Sequence, residues 1–283
     1  MELTVEALEL KSIQYRKKIL TIIKKANAGH TGGSLSAIDI LNVLYNRVLN
    51  VSPLNFKDAN RDRYIQSKGH SVEALYVVLA DQGFYPEAML DSLNQYQSHF
   101  IGHPTRKVNG VEHNTGALGH GLPIAVGTAI AAKKDGRSFR VFTLLGDGEL
   151  EEGSNWEASM SAAHYGLDNL VVIVDYNGLQ ITGPVEMVTG VNNLLQKFTA
   201  FGYAVREVNG NSVSELASIF DQVPFEPGKP NLVLAHTIKG KGISFIENQV
   251  GWHHHVPNDS EFAAAMLELD AAVEVWGRKN GNR

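Results

Sequence analysis

The sequence has no cysteine among its 283 residues. That excludes disulfides and thiolate chemistry, and it fits a cytoplasmic protein. A basic excess is also missing: 25 Lys and Arg stand against 30 Asp and Glu, for a net charge of −5. Such a balance offers no electrostatic footprint for nucleic acid or for an anionic membrane surface. No apolar run reaches the roughly 18 residues that a membrane helix needs. The acidic start, Met1-Glu2-Leu3-Thr4-Val5-Glu6, lacks a signal-peptide pattern. Internal repeats and low-complexity tracts are absent as well.

What is present is an apolar fraction of 43%, enough for a proper core, and a regular alternation of strand-like and helix-like segments. Helical spacing appears over residues 3–26, where Leu8, Ile13, Tyr15, Ile19, Leu20 and Ile23 recur between lysines. Further helices are expected over 35–48 with Ser34 as cap, and over 72–81, 86–97, 122–134, 153–165, 191–201 and 259–277. One more runs to about 223 behind Ser212 or Ser214. Strands are expected over 64–66, 141–145, 170–174, 203–208 and 231–237. No linker divides the chain. The pattern predicts one α/β domain over 1–283, with a mainly parallel sheet and helices on both faces.

The most informative stretch begins where the apolar run Val141-Phe142-Thr143-Leu144-Leu145 ends in Gly146-Asp147-Gly148-Glu149. It closes at Asn177-Gly178-Leu179, after the second apolar run. This is a strand–helix–strand unit with an Asp and an Asn at successive strand exits. Ligands of parallel sheets bind at the carboxyl ends of strands, and such oxygen groups suit a hard divalent cation carrying phosphate. The acidic turn is not an EF-hand loop, because Glu152 stands where that loop needs glycine. Histidines recur in glycine-rich loops, at His30, His70, His103 and the run His253-His254-His255. Taken singly, each is more often structural than catalytic. The Ala-rich helix after Gly121 implies close packing against another helix or another chain.

Taken together these segments resemble the N-terminal part of transketolase, within the thiamine-diphosphate enzymes. The resemblance rests on Gly146-Asp147-Gly148 with Asn177 about thirty residues on, and on Gly29-His30-Thr31-Gly32-Gly33-Ser34. Arg61-Asp62-Arg63-Tyr64-Ile65-Gln66-Ser67-Lys68-Gly69-His70, Gly102-His103-Pro104, Thr115-Gly116-Ala117-Leu118-Gly119 and Gly251-Trp252-His253 complete it, in the family's order over nearly the whole chain. It implies that Asp147, Asn177 and the Leu179 carbonyl hold Mg²⁺ or Ca²⁺, which in turn holds the diphosphate of thiamine diphosphate. It places the Gly148 N–H and His70 toward the diphosphate, Gly116 and Leu118 beneath the rings, and Ile181 and Glu152 on the cofactor. Glu152 and Glu157 match glutamates at a subunit interface; the plainer reading is a solvated first helical turn. His30, His103 and His253 match histidines facing the substrate, with His254 an open alternative to His253. A three-histidine metal site in 253–255 is disfavoured, since adjacent side chains of an extended segment diverge.

The resemblance also implies a missing half. Whole transketolases carry a pyrimidine-binding domain that supplies the Glu activating the cofactor, and residues up to Arg283 contain only the diphosphate side. The expectation is the N-terminal subunit of a split transketolase. It would transfer a two-carbon ketol unit from a ketose phosphate to an aldose phosphate, in a heterotetramer with a separate C-terminal subunit. Two rivals stand beside it. One is another thiamine-diphosphate enzyme, deoxyxylulose phosphate synthase-like or a keto-acid dehydrogenase subunit. The other is a non-catalytic subunit that retains the fold.

Overall fold

Strands β2 (Val141–Gly146) and β3 (Leu170–Tyr176) are apolar at almost every position, and the fold covers both of their faces. The computed structural model describes residues 3–191 and 193–281. The expected domain ends at 1, 2, 282 and 283, and Asn192 of the expected 191–201 helix, lie outside the described residues. Five strands form one parallel sheet in the order β1-β2-β3-β7-β6, with β1 at Arg63–Gln66, β6 at Ala204–Asn209 and β7 at Asn231–His236. In register, Val141 pairs Leu170 and Gly146 pairs Asp175, while Asp175 pairs Ala235.

The period of two in a strand divides the core into two layers. Phe142, Leu144, Val171, Ile173 and Val233 point to one side. They meet α1 (Val5–Ala26), α2 (Thr31–Val43), α3 (Val72–Asp81), α8 (Val213–Phe220) and α9 (Asp259–Asn280). Val141, Leu145, Val172, Val174 and Leu232 point to the other side. There they meet α4 (Gly121–Lys134), α5 (Gly153–His164) and α7 (Leu194–Ala200). Each fully buried aliphatic or aromatic side chain contributes about 1.5–3 kcal/mol, so the unbroken apolar runs of β2 and β3 are what a doubly covered sheet requires. The small residues of α4 pack against α5 through Ala125, Ala129, Ala158 and Ala162, while Gly127 on the outer face stays open.

The expected α/β architecture is present, with two local differences. Helix α2 starts at Thr31 rather than behind Ser34. All of its 13 residues are buried, so packing overrides the poor helix propensity of Gly32 and Gly33. Over 86–97 only the short 3-10 turn Glu87–Ser92 forms. Asn94 and Gln97 take left-handed φ values of 57° and 64°, and the Asn94 N–H turns to the Phe100 carbonyl at 2.8 Å. Between β3 and α7 stand a small hairpin of β4 (Leu179–Gln180) and β5 (Gly183–Pro184) and then α6 (Val185–Val188). Ser212, not Ser214, caps α8.

Candidate active site

The carboxyl ends of β1, β2, β3 and β7 open into one cavity of about 350 Å³. Its lining includes His30, His70, His103, Gly116, Leu118, Asp147, Gly148, Glu152, Asn177, Leu179, Ile181 and His253. Every site residue expected from the sequence therefore borders one space, although the residues come from segments spread over most of the chain.

The oxygen groups sit at the strand exits. Asp147 leaves β2 and accepts the Gly148 N–H at 2.8 Å and also the Gly178 N–H. Burial, then the neighbouring Asp175, lifts its carboxyl to about 6. Asn177 leaves β3 and its Oδ1 accepts the Leu179 N–H at 3.1 Å. The Leu179 carbonyl accepts from Lys239 Nζ at 3.0 Å. These three groups offer one carboxylate, one amide oxygen and one carbonyl, an all-oxygen set that fits a hard cation such as Mg²⁺. A Cβ on Gly148 would lie 2.7 Å from Gln180 Oε1, because the Gln180 side chain packs directly on the bare backbone there. The Gly148 N–H, expected to face a diphosphate, is engaged by Asp147 in this structure. Among the described residues no group of three His, Asp or Glu is arranged for a metal ion.

Two cations, Lys68 and Lys239, and two further carboxylates, Asp175 and Glu149, join the site without having been assigned to it from the sequence. Lys68 forms a buried ion pair with Asp175 and donates to the Gly33 carbonyl at 3.1 Å. Burial works against ionising Asp175, but Lys68, Ser36 and Thr237 together hold it below the ordinary carboxylate range. Lys239 is also buried, and desolvation followed by repulsion from Lys68 brings its ammonium down to about 8. Glu149 accepts from Ser67, from the Gly119 N–H at 3.0 Å and from the Gly146 N–H at 3.1 Å. It thereby ties the Gly116–Gly119 segment to the ends of β1 and β2. The signal for Lys68 and Lys239 was available: each follows a strand of a parallel sheet at its ligand-binding end.

The imidazoles form the other wall. His30 has its ring centroid 5.2 Å from His70, 6.0 Å from His103 and 5.8 Å from His253. His70 and His253 stack at 5.2 Å. His103 packs over Gly116, whose φ of +133° and lack of Cβ are both required there, since an added Cβ would lie 2.6 Å from His103 Cδ2. The run 253–255 divides three ways. His253 lines the cavity, His254 is exposed with its ring 4.4 Å from His30, and His255 pairs with Glu261 at 3.0 Å and packs on Trp252. That divergence leaves no three-imidazole metal site. Glu152 occupies the N-cap position of α5 at the cavity edge without a side-chain cap bond, and Glu157 is exposed on that helix.

Residues 11–270 match the family described as transketolase, thiamine diphosphate binding domain. The chain belongs to that family. Among its transketolase relatives, a protein from Phocaeicola vulgatus named as one subunit of apulose-4-phosphate transketolase is 43% identical over 279 residues, 99% of each chain. A protein of the same name from Actinobacillus succinogenes is 47% identical, over 94% of this chain and 97% of that one. The solved transketolase of Campylobacter jejuni superposes with a TM-score of 0.82 at 30% identity, covering 99% of this chain and 49% of that chain. This chain thus spans nearly all of the two named subunits and about half of the solved transketolase.

Burial sets the charge state of the transketolase imidazoles. His30 and His253 are each lowered from 6.5 to about 3, by desolvation first and then by neighbouring positive groups, and His70 and His103 are lowered as well. A folded state that refuses protons the unfolded chain accepts loses stability in acid. The contribution is fully present above 6.5 and is lost as pH falls toward about 3. We expect the thermal midpoint to decline through that window and to decline less steeply in His253→Asn. Equal slopes in the two proteins would show that His253 is not desolvated.

Proposed function

We propose that this chain, taken as one domain over 1–283, is the cofactor-holding subunit of a two-chain transketolase. It works on sugar phosphates, moving a two-carbon ketol unit from a ketose phosphate to an aldose phosphate. The observation that carries the reading is that His30, His70, His103 and His253 line one cavity with Asp147, Asn177 and Leu179. Two relatives matched over nearly their whole length carry a sugar phosphate and the word subunit in their names, which supports both substrate class and partner.

In this reading Asp147, Asn177 and the Leu179 carbonyl hold Mg²⁺ or Ca²⁺, and the cation holds the diphosphate. Lys68, Lys239 and His70 border the same space and add positive charge or hydrogen bonds on the diphosphate side. Gly116 and Leu118 lie under the rings, and Glu152 and Ile181 flank the cofactor. Thiamine diphosphate, when bound, supplies the carbon nucleophile of ketol transfer. The chain's own residues do the rest of what is assigned to it. His30, His103 and His253 orient substrate hydroxyls and accept or return protons at their ring nitrogens, a task that suits an imidazole kept neutral by burial. Among the described residues, His30 Nδ1 and His253 Nδ1 are buried and have no hydrogen-bond partner.

The partner is a chain carrying the pyrimidine-binding domain and the activating Glu, assembled as two copies of each. Glu152 and Glu157 face the junction between copies. The described residues contain no helix long and apolar enough to cross a membrane, and we place the complex in the cytoplasm. The test is reconstitution with the partner chain. Ketose phosphate cleavage with an aldose phosphate acceptor is expected from the mixture and from neither chain alone. Pyruvate consumption without ketose cleavage would overturn the assignment in favour of another thiamine-diphosphate reaction.

A further inference from the structure

Glu73 carries a buried carboxyl that the proposed chemistry does not use. It lies in the first turn of α3, three residues after His70, and has no exposed surface. Its Oε1 accepts the backbone N–H of His30 at 3.2 Å, and its Oε2 accepts the Ser34 hydroxyl at 2.8 Å. His30 is the N-cap residue of α2 and makes no side-chain cap bond of its own. One carboxyl therefore holds the first turn of α2 at both ends, and that turn presents the His30 ring to the cavity.

The backbone is shaped for this contact. Gly29 has a φ of +157°, and a Cβ there would lie 2.8 Å from Glu73 Oε1 and 2.7 Å from Ile23 Cγ1. Only a glycine beside His30 lets the carboxyl come so close. The arrangement is also costly. Among the described residues no cation pairs with Glu73, and burial pushes its carboxyl up to about 7. With no cation to offset its charge, the buried carboxyl carries a desolvation cost that its two accepted hydrogen bonds only partly offset.

We propose that Glu73 is a positioning residue, which fixes the His30 backbone so that its ring meets the substrate at a set place beside His70. The inference rests on the reading of His30 as a substrate-facing group. It gives a role to a buried carboxyl whose two acceptor oxygens an apolar side chain could not replace. Small displacements of a catalytic group cost large factors in rate.

The test compares Glu73→Leu, Glu73→Gln and His30→Ala in the complex with the partner chain. Glu73→Leu is expected to keep cofactor affinity and, well below its thermal midpoint, to lower kcat/KM on the order of 10–100-fold. Glu73→Gln is expected to recover most of the turnover, because its amide oxygen can accept from His30 and its NH₂ can donate to Ser34. Should Glu73→Leu fail to fold, Glu73→Gln still decides: lost turnover in a folded Gln variant overturns the proposal. So does unchanged turnover in Glu73→Leu, or a loss that only follows a fall in thermal midpoint. If His30→Ala turns over normally, the role of His30 fails and the inference with it. If His30→Ala is impaired and Glu73→Leu is not, the inference alone fails.

Discussion

Asp147→Ala abolishes metal-dependent binding of thiamine diphosphate. Of the three oxygen groups assigned to the cation, Asp147 alone carries a charge; Asn177 offers an amide oxygen and Leu179 a carbonyl. Without it, a divalent ion meets two neutral dipoles and the nearby ammonium of Lys239, which already donates to the Leu179 carbonyl. Outer partners of a metal site alone affect affinity by about 10–100-fold, so loss of the sole carboxylate should cost at least about 100-fold. The variant also frees the N–H groups of Gly148 and Gly178, which Asp147 now holds. Asp147→Asn separates the two effects, because it retains an acceptor oxygen and removes only the charge. Titration calorimetry of the complex with Mg²⁺ and thiamine diphosphate decides the matter. Unchanged affinity in both variants at low Mg²⁺ would refute the ligand assignment.

His103→Ala leaves cofactor affinity largely intact and lowers turnover. His103 is half-buried, burial keeps its ring neutral, and it faces His30 at 6.0 Å. Loss of a group that moves a proton or orients a hydroxyl in such a site costs about 10²–10⁴-fold. Its backbone is held independently of the ring, since the Tyr76 hydroxyl donates to the His103 carbonyl at 3.2 Å. The loop therefore survives truncation of the side chain. Steady-state kinetics with a ketose phosphate donor should place the loss mainly in kcat. An equal loss of thiamine diphosphate affinity would move His103 to the cofactor-binding wall, which its ring also borders where it packs on Gly116.

The sequence by itself determined the central strand–helix–strand unit. The apolar runs of β2 and β3 are local, their ends are marked by Gly146-Asp147-Gly148 and Asn177-Gly178, and the carboxyl ends of parallel strands are where ligands bind. From that, the position of Asp147 and Asn177 at one cavity was legible in the sequence. The histidines at 30, 70 and 103 were legible as motif residues, but their mutual approach was not. Tertiary structure decided which of three adjacent histidines enters the cavity, since Glu261 and Trp252 draw His255 away from it. Packing also decided that α2 begins at Thr31 and that no full helix forms over 86–97. The charges of Lys239 and Glu73 belong to the same class. Glu73 meets His30 across 43 residues of chain, and Lys239 meets Leu179 across 60. Desolvation depends on which distant elements close over a side chain, and neither composition nor periodicity records that closure.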